Sequence, residues 1–162
     1  MNVYFKNIPY VGDMTLEYVF YAYDEPILFV CTDIQGTRYL CSCCKLSEEW
    51  AVAQVTEKAL LEMLDDRIPL DEVFRSCKGV TFVLRWDGER FHQQPGTIPE
   101  ELLPEPGAFL DLSDAGEYRE HIQRAARKRT RRVMAPSHPH FLSWTLQSAI
   151  SKSSLREQRG QK

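Results

Sequence analysis

No stretch of this chain is apolar for the roughly 18–20 residues that a membrane-spanning helix requires, so the sequence reads as having no transmembrane segment. Nor does its beginning resemble a secretion signal, because Met1 is followed by a mixed polar stretch containing Asp13 and Glu17. These two absences make a cytoplasmic protein the expectation. The familiar motifs of catalysis are missing as well. There is no Gly-rich phosphate loop, no Gly-x-Ser-x-Gly elbow and no His-Glu-x-x-His, and no spacing suggests a Ser/His/Asp or Cys/His arrangement. A non-enzyme without a cofactor is therefore expected, although a site assembled only in three dimensions would leave no such trace.

Metal ligands are sparse. Five cysteines are present, Cys31, Cys41, Cys43, Cys44 and Cys77, an odd number that suits reduced cytosolic thiols better than a disulfide framework. The run Cys41-Ser42-Cys43-Cys44 is not followed by the second cysteine pair, or the paired histidines, of a structural zinc site. On a strand Cys41 and Cys43 share one face, where free cysteine packs as a small hydrophobe. His138-Pro139-His140 likewise lacks a neighbouring carboxylate or thiol, so no metal site is expected.

Charge is abundant but unevenly placed. Residues 1–118 hold 9 Lys/Arg against 21 Asp/Glu, a net charge of −12, whereas residues 119–162 hold 11 against 2, a net charge of +9. Such an asymmetry bears on partners more than on fold. It divides the chain into an acidic β-rich domain over 1–112 and a basic helical extension over 113–162.

Within the acidic part, Leu16 to Tyr23, Ile27 to Thr32, Arg38 to Cys44 and Trp50 to Val55 read as strands of an antiparallel meander, with Asp33 to Thr37 as a hairpin turn. Residues 16–23 are apolar on both faces, so this strand is either central or covered by the tail. The period then changes. Thr56 suits the N-cap of a helix over Glu57 to Asp66, and Pro69 the first turn of a second with Leu70, Val73, Phe74 and Cys77 inward. Val80 to Trp86, Asp87-Gly88 and Glu89 to His92 read as a hairpin with a type I′ turn. Residues 93–107 hold four prolines and two glycines and predict an irregular surface wrap. The fold class is thus α+β: a bent antiparallel β-meander, barrel-like if it closes, with a two-helix insertion and a basic helical C-terminal extension.

The segment Phe20 to Cys31 contains Tyr23-Asp24-Glu25-Pro26-Ile27-Leu28-Phe29, and it resembles the Tyr-Asp-x-Pro-x-Leu-Phe core of a functionally uncharacterised family of small bacterial proteins. The order that follows is similar too: Gly36, Tyr39-Leu40, Trp50, then Leu70-Asp71-Glu72-Val73-Phe74. The resemblance covers roughly residues 14–92 and departs at Gln54, where the family has proline. It implies a bacterial or mobile-element origin and the meander, and it transfers no activity.

In the extension, Asp114 and Glu117 resemble a capping box for a helix to about Val133. That helix carries Arg124, Arg127, Lys128, Arg129, Arg131 and Arg132, six cations within nine residues that repel one another unless a partner neutralises them. They encircle the helix with few aromatics between them, which suits phosphate or acidic-protein contact better than base reading. Beyond the break at Ala135 to Pro139, Leu142, Leu146, Ala149 and Ile150 recur at helical spacing within Phe141 to Leu155, with Trp144 beside them. Leu142, Trp144, Leu146 and Ile150 either dock a partner or pack back on the sheet. Asp24-Glu25 read as turn residues, since neighbours on a strand face opposite ways.

Together these residues predict a non-enzymatic bacterial interaction or regulatory protein that binds a macromolecular partner, with defence, counter-defence or toxin–antitoxin as its setting. The alternatives are a nucleic-acid binder acting through the basic helix and an enzyme with a site invisible in sequence. A homo-oligomer is compatible with either, and a membrane partner is not expected.

Overall fold

The computed structural model describes residues 3–46, 48–111 and 115–134, with side chains as far as residue 128. Seven antiparallel strands follow one another in space as they do in sequence: β1 (Val3–Ile8), β2 (Gly12–Ala22), β3 (Pro26–Asp33), β4 (Arg38–Lys45), β5 (Glu49–Val55), β6 (Thr81–Trp86) and β7 (Phe91–Pro95). The sheet bends until its two ends nearly meet, with the rings of Phe5 on β1 and Phe91 on β7 only 5.4 Å apart. It is therefore a nearly closed barrel, and side chains instead of backbone hydrogen bonds span the seam. Helices α1 (Glu57–Leu64) and α2 (Leu70–Arg75) lie between β5 and β6, and α3 (Gly116–Met134) follows the last strand. Two compact units divide the chain, Met1–Ala126 and Arg127–Lys162.

Alternation along the strands gives the sheet two buried faces. Phe29, Cys31, Cys41, Trp50, Val52, Phe82 and Leu84 fill the barrel interior with Phe5, Ile8 and Met14. Leu28, Val30, Leu40, Ala51, Ala53 and Val83 point outward, under Leu60, Met63 and Leu64 of α1, Val73 and Phe74 of α2, and Tyr118 and Ile122 of α3. Two-sided burial explains why β3 to β5 read as nearly continuous apolar runs. Cys41 and Cys43 share the interior face and Cys44 packs on the helix side, so the cysteines serve as small hydrophobes.

Local chemistry sets the connections. The Asp33 carboxylate accepts 2.8 Å bonds from the Gln35 and Thr37 amides, and Gly36 supplies the positive φ of +80° that the β3–β4 turn needs. The Thr56 hydroxyl caps α1 by accepting from the Ala59 amide at 3.1 Å. Buried Asp71 on α2 accepts from the Gly107 amide at 3.0 Å, and the Leu70 amide donates to the Ala108 carbonyl at 2.8 Å. These bonds hold the proline-rich segment as the expected wrap, with Ile98 and Leu110 buried beneath it.

Three expectations change. Strand β1 escaped the sequence reading: it pairs with β2 through two register shifts, and Asn7 at φ +52° breaks the period-2 pattern that would have revealed it. The β6–β7 hairpin has a four-residue loop, because Trp86 pairs with Phe91 and only Gly88 among the loop residues has positive φ. A type I′ turn needs positive φ at both central residues. Here the Asp87 carboxylate instead accepts from the amides of Glu89 (2.9 Å) and Arg90 (3.0 Å). In β2, a register shift between Leu16 and Tyr18 makes Glu17 the extra residue, which turns Leu16 and Val19 inward but Tyr18 and Phe20 outward. The two-faced strand is accordingly both an interior strand and one covered by α3.

Candidate binding cleft

The extension begins as part of the body. Ala115, Tyr118 and Ile122 are buried in the helix-side core, and the Tyr118 ring stacks on Tyr18 at 4.5 Å with Phe20 edge-on at 5.6 Å. Beneath them a polar clamp joins four elements. The Arg38 guanidinium on β4 donates to both oxygens of Glu17 on β2 at 2.9 Å and to Glu57 at the start of α1 at 3.1 Å. Side-chain exposures of 11%, 13% and 23% place these charges largely out of water. Burial lowers the Arg38 pKa, but the Glu17 hydrogen bond and charge outweigh it and hold the pKa above its usual value. His121 of α3 lies 3.7 Å from the same Glu17 carboxylate, and the Tyr118 hydroxyl is pushed well up in pKa, by burial first and then by Glu17.

Of the cations expected to bind a partner, Arg124 is exposed and pairs with Glu120 at 2.9 Å, and Arg127 and Lys128 are exposed on α3. Arg129, Arg131 and Arg132 fall within α3, their side chains outside the described residues. Leu142, Trp144, Leu146 and Ile150 lie outside the described residues altogether, as does Asp114 of the expected capping box. Among the described residues no three His, Cys, Asp or Glu side chains gather as a metal site would require, and no helix is long and apolar enough to cross a membrane.

A site the sequence did not announce lies where the barrel interior opens between the start of β1 and the β2–β3, β4–β5 and β6–β7 turns. A cleft of about 330 Å³ is lined there by Tyr4 and Phe5 of β1, Trp50 of β5, Trp86 of β6 and Phe91 of β7. Asp24, Glu25 and Pro26 complete its wall from the β2–β3 turn. The rings form one continuous cluster: Tyr4 to Phe5 at 4.7 Å, Phe5 to Trp50 at 5.2 Å, Trp50 to Phe91 at 6.1 Å and Trp86 to Phe91 at 4.7 Å. All four contacts are tilted or edge-on, arrangements that aromatic quadrupoles favour over face-to-face stacking.

The charged residues that line the cleft are Asp24 and Glu25. None of its lining residues is basic. On the adjoining loops Lys45 pairs with Glu48, Arg85 with Glu49 and Arg90 with Asp87. The negative charge of Glu25 is felt inside, because the Tyr4 hydroxyl is pushed up to about 12 by burial first and by Glu25 next. The indole N–H of Trp50 is buried without a hydrogen-bond partner among the described residues. Exposed apolar side chains lie at the same end of the meander, namely Val3, Tyr21, Tyr23 and Leu46, at 37%, 48%, 83% and 55% exposure.

Asp24 and Glu25 thus do form a turn, with the Tyr23 amide donating to the Glu25 carbonyl at 3.1 Å, but they also wall a cleft. Sequence reasoning missed it because its rings are scattered over four strands. The available signal was an aromatic residue within a position or two of each turn at one end of a meander. Comparison with protein-family models, with curated proteins and with solved structures finds no match to this chain.

Proposed function

We propose that this chain is a non-enzymatic interaction protein that binds a macromolecular partner at the open end of its barrel. The supporting observation is the aromatic cleft at the end of the meander that also carries the exposed Val3, Tyr21, Tyr23 and Leu46, since concave apolar surface is where proteins bind ligands and partners. Asp24 and Glu25 line the cleft beside the aromatic rings. The proposal keeps the resemblance of residues 14–92 to small bacterial proteins as its setting, and with it a cytoplasmic role in defence, counter-defence or toxin–antitoxin pairing.

A second reading, nucleic-acid binding, is favoured by α3, which carries the exposed Arg127 and Lys128 and runs on through Arg132. A single experiment separates the two. Full-length protein is used to capture partners from bacterial lysate at low and moderate salt, with and without nuclease. It is compared with a Tyr23→Ser/Leu46→Ser variant and with one whose six cations from Arg124 to Arg132 are glutamine. The expected result is a protein that survives nuclease, is kept by the glutamine variant and is lost by the serine variant. Nucleic acid recovered only with the cations intact, and released at moderate salt, establishes the second reading instead.

A further inference from the structure

We infer that a cavity on the helix side of the molecule binds a small organic acid with an apolar body and one negative group, a medium-chain carboxylate. The cavity lies between α1, the end of α2 and the link from α2 to β6, with the end of β5 beneath it, and holds about 430 Å³. That volume falls in the ordinary range of small-molecule sites. It shares no lining residue with the aromatic cleft, so the inference stands apart from the interaction reading above.

Three features select the ligand, and the first is apolar surface. Ala59 of α1, Ile68 of the α1–α2 link and Cys77 border the cavity and are only partly buried, over a floor that includes the buried Val55 and Val73. The second is the state of the neutral polar groups around them. The Thr56 hydroxyl accepts from the Ala59 amide at 3.1 Å, and the Ser76 hydroxyl donates to the Glu72 carbonyl at 2.7 Å. The Cys77 thiol donates to the Gln54 carbonyl at 2.8 Å, and the Gln54 side-chain oxygen accepts from the Val80 amide at 3.2 Å. With these groups engaged inside the chain, a sugar or nucleoside would give up its hydrogen bonds to water without full replacement, which is costly. A ligand with an apolar body meets no such cost.

The third feature is charge. Lys58, Glu62 and Lys78 line the cavity, two cations against one anion. Lys58 pairs with Glu62 along α1 at 3.7 Å, whereas Lys78 is exposed and makes no ion pair among the described residues. One surplus ammonium matches one negative group. The chain around it is acidic, with a net charge of −12 over residues 1–118, which disfavours a polyanion such as a nucleotide. A carboxylate at the end of an alkyl chain satisfies all three features: the chain lies over Ala59 and Ile68, and the head meets Lys78, whose methylene stem adds apolar contact.

The test is a titration of the full chain with sodium octanoate at neutral pH, followed through the methyl signals of Ala59 and Ile68 by nuclear magnetic resonance. Three comparators separate the ligand's features. Octan-1-ol has the chain without the charge, octylammonium chloride has the opposite charge, and sodium acetate has the charge without the chain. Saturable shifts are expected with octanoate, and weaker binding of octanol by about two- to fivefold, as one partly exposed ion pair contributes. Octylammonium is expected to bind more weakly still, and acetate to have no effect. Lys78→Gln, a change at an exposed residue, is expected to bring octanoate down to the level of octanol and to leave octanol unchanged. Lys78→Glu is expected to reverse the order, with octylammonium ahead of octanoate. Ala59→Leu, which fills part of the cavity, is expected to weaken octanoate and octanol alike by about tenfold. If it fails to fold, the Lys78 variants decide. Octanol that binds as tightly as octanoate overturns the inference, as does octanoate binding that neither Lys78 variant alters. An absence of saturable shifts at Ala59 and Ile68, or their appearance at the aromatic cleft instead, overturns it equally.

Discussion

Arg38 shows how much of this fold hangs on a single polar side chain. It reaches two carboxylates from different elements, Glu17 and Glu57, with 11% of its own side chain exposed. Removing one member of a largely buried ion pair costs more than the pair itself contributes, because the partners stay charged and out of water. Arg38→Met is therefore expected to destabilise the chain by roughly 2–4 kcal/mol, read as a fall in the urea midpoint at neutral pH. Changing Arg38, Glu17 and Glu57 together to Met, Leu and Leu is expected to restore much of the loss. The sequence displayed Arg38 only as the first residue of a strand. Nothing in its neighbours signalled that a bulge would turn Glu17 toward it, since bulges are set by pairing with a distant strand. Gln54 is a similar case. Its side-chain oxygen accepts from the Val80 amide at 3.2 Å and its side chain rests against Gly79. A Cβ at position 79 would come within 2.9 Å of the Gln54 Cβ, closer than real contacts allow. Gly79→Ala is expected to cost about 1–3 kcal/mol through that overlap, measured by thermal unfolding.

At the scale of elements, legibility follows the reach of the forces involved. Strands β3, β4 and β5 were readable because both of their faces are buried and their composition is correspondingly apolar and β-branched or aromatic. Helix α1 was readable because its N-cap and its stripe of Leu60, Met63 and Leu64 are local features. Strand β1 was not: its inward residues, Phe5 and Ile8, are three apart and owe their common face to irregular pairing with β2. The turn of the last hairpin failed for a related reason. Asp-Gly predicts a tight loop, yet the Asp87 carboxylate captures two amides and so favours the longer one. The aromatic cleft required several elements at once and could not be read from any of them.

For the whole molecule, the tyrosines set a limit at alkaline pH. Burial, then Asp33, pushes the Tyr39 hydroxyl from 10.0 up to about 12, and burial with Glu25 does the same for Tyr4. Below pH 10 folded and unfolded chains both keep these protons, so the contribution to stability is fully present. Above it the unfolded chain releases them and the folded chain does not, so stability must fall as pH rises from 10 towards 12. Urea midpoints are expected to be lower at about pH 11 than at about pH 9. Tyrosinate absorbance at alkaline pH should rise abruptly on unfolding instead of following the ordinary curve. The Cys44 thiol, raised to about 11 chiefly by burial, adds to the same trend.

The order of the strands carries a last consequence. Each of the seven is hydrogen-bonded only to strands that adjoin it in sequence, and most of the links between them are short turns. Loop closure along such a path costs little entropy at any step. A β-structure usually gathers segments that are far apart in the chain and assembles slowly as a result, but this barrel can grow by adding one hairpin arm at a time. The exception is the 25-residue link between β5 and β6 that contains α1 and α2. Pairing across that link, not closure of the seam, is where the chain must make its longest search on the way to the native state.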